Sequence, residues 1–161
     1  MNYTASMTDT VTQEKRSEIM SHIRSKDTGP EIVVRKLLHA AGYRYRLHRK
    51  DLPGKPDIVL AKYHAAIFVH GCFWHRHDGC ANAVMPKSRP EFWSAKLSGN
   101  VRRDGLTRNA LISAGWRVLV VWECACRREG KRKELLSGIE SFLDNETCSY
   151  REIGASDLDA Q

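Results

Sequence analysis

Apolar and polar residues change period several times along the chain, and each change marks an element. After Thr28-Gly29-Pro30-Glu31, the residues Val34, Leu37, Leu38 and Ala41 recur at i, i+3, i+4 and i+7, the period of one helix face. Threonine placed before glutamate at capping-box spacing, with proline in the first turn, supplies the start, and Gly42 supplies the stop. Tyr43-Arg44-Tyr45-Arg46-Leu47 alternates apolar and basic side chains, as a strand with one buried face does. Leu52-Pro53-Gly54-Lys55-Pro56 breaks the chain. Ile58-Val59-Leu60 and Ala65 to Val69 then read as two strands joined through Lys62-Tyr63-His64. A helix followed by a three-strand meander is the result.

Residues 81–91, with Pro86 and Pro90, read as a loop. From Phe92 to Ala114 the spacing of Phe92, Leu97, Val101, Leu106, Ala110, Leu111 and Ala114 is helical, weakened by Gly99 and Gly105 and closed by Gly115. Trp116 to Trp122 is nearly continuously apolar, which predicts a strand central in the sheet, and it delivers Glu123-Cys124 at its end. Lys131 to Leu143 carries Leu135, Leu136, Ile139 and Leu143 on one side, a last amphipathic helix. Lys15 to Ile23 fits a short surface helix with Ile19 and Ile23 on one side. The pattern divides the chain into a flexible leader (1–12), one domain (13–143) whose residues 13–27 form an arm, and a polar C-terminal tail (144–161). Helices and strands interleave as in an α/β protein.

A chain of 161 residues with 42% hydrophobic residues supports one core. Lysine and arginine outnumber aspartate and glutamate 26 to 19, a net charge of +7, which favours a polyanionic partner such as nucleic acid. No apolar run is long enough to span a bilayer, and Met1 to Gln13 has no hydrophobic signal core; a soluble cytoplasmic protein is expected. The five cysteines, Cys72, Cys80, Cys124, Cys126 and Cys148, cluster in two places. In a reducing compartment that pattern fits metal ligation better than disulfides.

Candidate chemistry concentrates in Ile67-Phe68-Val69-His70-Gly71-Cys72-Phe73-Trp74-His75-Arg76-His77-Asp78-Gly79-Cys80. Cys72, His77 and Cys80 lie close together, and the long strand can return Cys124 to the same sheet end. Thiolates with an imidazole make a soft tetrahedral set that selects zinc. Cys126 is the alternative fourth ligand, Cys124 the better placed one, and Cys148 a bystander. Asp57, behind two prolines at the mouth of a strand, falls beside Val69-His70 in a meander. One carboxylate and a backbone carbonyl suit magnesium, whose other ligands are waters and phosphate. Hydrolysis of a phosphodiester also needs a base, for which His70 and His75 are both in reach. Phe73, Trp74 and Trp93, flanked by Arg76, Lys87 and Arg89, suit stacking on or wedging between bases.

Several separated segments, taken together, resemble the very-short-patch-repair (Vsr) DNA mismatch endonucleases. They are Lys15-Arg16-Ser17 through Asp27-Thr28, Glu31, Leu52 to Asp57, Phe68 to His75, Glu91-Phe92-Trp93, Asn100-Val101, Asp104, Gly115 to Leu119, and Trp122-Glu123-Cys124. The resemblance implies a restriction-endonuclease-like fold, a mixed sheet flanked by helices, with structural Zn2+ beside a Mg2+-dependent nuclease centre. It implies Asp57 and the Val69 carbonyl as magnesium ligands, His75 as general base, and Glu31, His70 and Asp104 as water-mediated supports. Zinc falls on Cys72, His77, Cys80 and Cys124. The aromatic wedge falls on Phe73, Trp74 and Trp93, and the arm brings Met20 near the bases. The implied substrate is double-stranded DNA bearing a T:G mismatch left by 5-methylcytosine deamination, nicked next to the thymine by a monomer associated with the nucleoid, with mismatch-repair proteins as possible partners. Two departures stand out: valine at position 69 where threonine is familiar, and an extra residue in the run His75 to Cys80. Two other functions fit the residues, a zinc-stabilised DNA-binding module without catalysis and a restriction or homing nuclease with another substrate.

Overall fold

A five-stranded mixed sheet carries the functional residues. The computed structural model describes residues 26–159; the leader, the Lys15 to Ile23 helix, most of the 13–27 arm and Met20 lie outside them. The chain runs α1 (Gly29–Ala40), β1 (Arg46–Leu47), β2 (Ile58–Leu60), β3 (Ala65–His70), α2 (Pro90–Ser113), β4 (Arg117–Trp122), α3 (Glu123–Cys126), α4 (Arg132–Asp144) and β5 (Tyr150–Ile153). Spatial order follows sequence order. β1, β2 and β3 pair antiparallel as the predicted meander, and β3, β4 and β5 pair parallel.

Local chemistry accounts for the boundaries. Thr28 caps α1 by accepting the Glu31 N–H at 3.4 Å, with proline in the first turn. Gly42 and Gly115 follow α1 and α2 at φ +87° and +82°, a left-handed conformation that glycine adopts without a Cβ penalty. A 3₁₀ turn over Ala61–Tyr63 links β2 to β3. Side chains alternate across each strand. One face buries Ile58, Leu60, Ile67, Leu119, Val121 and Ile153 against α1 and α4, through Val34, Leu38, Leu135, Ile139, Phe142 and Leu143. The other face turns Ala66 and Val118 toward α2 at Leu111.

Three expectations need correction. The strand predicted over Tyr43 to Leu47 is only Arg46–Leu47, both exposed. Tyr43 and Tyr45 instead lay their rings on the α1 core, Tyr45 donating its hydroxyl to the Arg35 carbonyl at 3.1 Å. The polar tail is not a tail: Tyr150–Ile153 pairs along β4, and Ile153 and Leu158 are buried. A strand this short with one apolar residue facing the core leaves little periodic signal, so β5 depends on the neighbour it pairs with. The third concerns α2, which is a single helix of 24 residues whose buried residues are Trp93, Leu97 and Leu111. Phe92, Val101 and Leu106, part of the apolar spacing from which the helix was read, are exposed. The inward stripe runs Trp93, Leu97, Asn100, Asp104, Arg108, Leu111, apolar at its ends and polar in the middle. That middle faces a cleft instead of a core.

Candidate functional site

The cleft follows from the alternation. On the sheet face toward α2, Phe68 and His70 of β3, Val118, Val120 and Trp122 of β4, and Tyr150 and Glu152 of β5 form one floor. α2 covers this face with its apolar ends, while its polar middle leaves a cavity of ≈ 580 Å³. Asp104, Thr107 and Arg108 of α2 line it together with His48, Lys50 and the turn of Gly54, Lys55 and Asp57. Gly54 lets the turn meet the helix: its φ is +71°, and a Cβ there would lie 2.2 Å from Thr107 Cγ2.

Asp57 enters from the mouth of β2, and the Val69 N–H donates to its Oδ2 at 2.8 Å. The second oxygen, Oδ1, lies 3.9 Å from His48 Nδ1. Burial pushes the Asp57 carboxyl up to about 6, opposed by the Val69 N–H and by nearby His48 and Arg35. A desolvated carboxylate with free lone pairs fits a hard cation, which would offset the burial cost. His48 was not singled out in the sequence; its signals are its place between β1 and the Pro-Gly turn and a left-handed φ of +48°. His48 Nε2 also lies 3.1 Å from Glu31 Oε1. Glu31 is only 2% exposed and forms an ion pair with Arg35, which bonds Asp27 as well. Glu31 therefore reaches Asp57 through a histidine.

Across the cleft, His75 Nδ1 meets Asp104 Oδ2 at 2.6 Å. A carboxylate can only accept, so Nδ1 carries the proton and Nε2 keeps its lone pair. His70 stacks on the His75 ring, centroids 3.8 Å apart and 9° from parallel. Burial, reinforced by His75, lowers the His70 pKa to about 3, so it stays neutral. Asp104 is placed by α2, and Asn100, one turn earlier, donates to the Trp74 carbonyl at 2.9 Å. The helix thus fixes both His75 and the turn that carries it.

At the end of β3 and β4, Cys72, His77, Cys80 and Cys124 bring one donor atom each within 4.8 Å of the others. His77 Nδ1 lies 3.6 Å from Cys72 Sγ and 3.4 Å from Cys124 Sγ. Three sulfurs and an imidazole nitrogen at this spacing fit a tetrahedral soft cation. Cys126 points away into the main core, which separates it from this cluster. Burial raises both Cys72, to about 12, and Cys124; without a cation these thiols stay protonated. The Ala155 N–H donates to Cys124 Sγ at 3.3 Å. A Cβ on Gly154 would lie 2.8 Å from His77 Cε1, so glycine is needed for this approach. Trp122, read in the sequence as the end of a strand with no site role, joins the two sites. It stacks on His77 at 4.1 Å and 4°, and meets His70 edge-on at 5.5 Å.

The aromatics gather beside this cluster. Phe73 meets Trp74 at 5.1 Å and Trp93 at 5.4 Å, both edge-on. Trp93 is 7% exposed and supports the others from beneath, while Phe92, at 45%, continues the patch outward. Arg89 lies 4.8 Å over the Phe92 ring, and Lys96 lies 5.9 Å from the Trp74 ring. Lys87 is exposed on the preceding loop.

Comparison with known proteins places the chain in a family. Residues 8–82 match the family model described as DNA mismatch endonuclease Vsr. The Type II nicking enzyme V.XorIIP of Xanthomonas oryzae pv. oryzae is 54% identical over 118 residues, 73% of this chain and 86% of that protein. The Type II nicking enzyme V.NmeAIP of Neisseria meningitidis is 45% identical over 131 residues, 81% of this chain and 93% of that protein. The DNA mismatch endonuclease Vsr of Escherichia coli is 39% identical over 145 residues, covering 89% and 92%.

Proposed function

From the premise that this chain belongs to the Vsr family of DNA mismatch endonucleases and cleaves DNA, we propose that it nicks one strand next to the thymine of a T:G mismatch. The lesion is the product of 5-methylcytosine deamination, and the nick initiates short-patch repair. The observation that carries this reading is the meeting of Asp57, His70 and the His75–Asp104 pair in one cleft. Relatives named as nicking enzymes support cutting a single strand. The mixed sheet with helices on both faces is read here as a restriction-endonuclease-like core.

In the proposed reaction, His75 Nε2 takes a proton from the attacking water, and Asp104 stabilises the imidazolium that forms. Stacked His70 remains neutral and so adds no positive charge against that step. Asp57 and the Val69 carbonyl would hold Mg2+, with Glu31 acting through His48 to set the Asp57 orientation. Magnesium, when bound, supplies charge stabilisation at the phosphoryl and leaving oxygens. Because only the Val69 carbonyl is asked to ligate, valine in place of threonine is tolerated. Cys72, His77, Cys80 and Cys124 would hold zinc, which would brace the turn that carries His75 and the Phe73-Trp74 pair. In the run from His75 to Cys80, which departs from the family pattern, Asp78 and Gly79 are exposed and His77 lies among the donors. Phe73 and Trp74, on the Trp93 platform and rimmed by Lys87 and Arg89, form the wedge that unstacks the duplex at the mismatch.

Asp57→Ala tests the centre. Nicking of a mismatched duplex should fall to background while the dissociation constant for the same duplex changes by less than about tenfold. Retained nicking would remove Asp57 from the centre.

A further inference from the structure

Beyond the residues that hold His75 and Asp57, the cleft contains a cation that the proposed reaction does not use. Arg108 lies on α2 four residues after Asp104, on the same helix face and one turn further along. Its guanidinium carbon lies 4.5 Å from the Tyr150 ring centroid, and the guanidinium also reaches the Tyr150 hydroxyl. Among the described residues it makes no ion pair. The nearby carboxylates are committed elsewhere: Asp104 to His75, and Glu152 to the Trp122 indole N–H at 2.8 Å and to the Tyr150 hydroxyl. An arginine serving only to support the fold would be expected to take one of these.

We propose that Arg108 is a phosphate anchor, holding a backbone phosphate of the cleaved strand next to the scissile one. Contact with Tyr150 holds the guanidinium at the floor of the cleft, and its fork of five N–H donors has more than Tyr150 can take, which suits a grip on phosphate oxygens. The Glu152–Trp122–Tyr150 bonds in turn fix the ring, so the anchor is tied to the sheet floor. Four residues of helix rise about 6 Å, on the order of the spacing of neighbouring phosphates along one strand. The group that orients the proposed base and the group that grips the next phosphate are therefore set in register by one helix. Lys50 and Lys55, which also line the cleft, add general attraction. Arg108 is a positioning residue, and the proposal rests on the reading that the DNA strand occupies this cleft.

Equilibrium binding of the full chain to matched and T:G duplexes, with a chelator present and salt varied, tests the anchor without requiring cleavage. Arg108→Gln should flatten the slope of log K against log salt by about 0.9, one phosphate contact, on both duplexes. Arg108→Lys should restore the slope. Arg108→Met, which keeps cover on Tyr150, replaces the glutamine variant if that one fails to fold. In a methylphosphonate scan of the phosphates flanking the scissile position, neutralising one of them should weaken the wild type and leave Arg108→Gln unaffected. Identical slopes in wild type and the neutral variant, no recovery with lysine, or equal sensitivity of wild type and variant at every position would overturn the proposal. Failure of the mismatch reading looks different: the wild type would not nick the T:G duplex, while the slope difference would persist.

Discussion

Asp57 is the residue on which the energetics of the centre turn. Its folded pKa of about 6 lies above the ordinary 3.8 because burial disfavours its charge. Between these values the folded protein keeps a proton that the unfolded chain releases, so stability falls as pH rises through that window and stays lower above it. For a carboxylate this is the opposite of the usual sign, and the deficit is on the order of 3 kcal/mol. Asp57→Asn should therefore raise the melting temperature of metal-free protein at about pH 8, with the gain vanishing near pH 4. An equal gain at both pH values would contradict the assignment. The sequence made Asp57 legible because two prolines and a strand mouth mark it. His48 and Trp122 were not legible: each matters through partners 9 to 30 residues away or more, and nothing local announces such contacts.

At the scale of elements, α2 explains both what the pattern revealed and what it hid. A helix was readable across Gly99 and Gly105, yet its inward face was not. Asp104 and Arg108 line the cleft and Asn100 bonds the Trp74 carbonyl, so apolar periodicity fails in the middle of the stripe, as expected where a site interrupts a core face. The donor cluster is a second case. Spacing alone left Cys126 as an alternative to the better-placed Cys124; the short helix α3 puts Cys124 beside the other donors and Cys126 in the core. Purified Cys126→Ala should retain one zinc per chain by elemental analysis, whereas Cys124→Ala should fall well below it and lose stability. Equal zinc content in the two variants would refute this ligand set.

For the whole molecule, β5 is the part the sequence concealed and the fold requires. It covers the free edge of β4, buries Ile153 and Leu158, supplies Tyr150 and Glu152 to the cleft floor, and brings Gly154 and Ala155 against the donor cluster. Truncation after Asn145 should give protein without a cooperative thermal transition; a variant that melts like the full chain would show β5 to be dispensable. Among the described residues no helix is long and apolar enough to cross a membrane. The net charge of +7, the basic cleft walls and the aromatic patch all favour a nucleic-acid duplex. The most direct test of the account uses a duplex labelled on each strand and carrying one T:G pair, beside matched T:A and C:G duplexes, with Mg2+ or with a chelator. The account predicts a single nick next to the thymine, in the mismatched duplex and only with Mg2+. Equal cleavage of matched duplexes, cutting of both strands, or cleavage in chelator would contradict it.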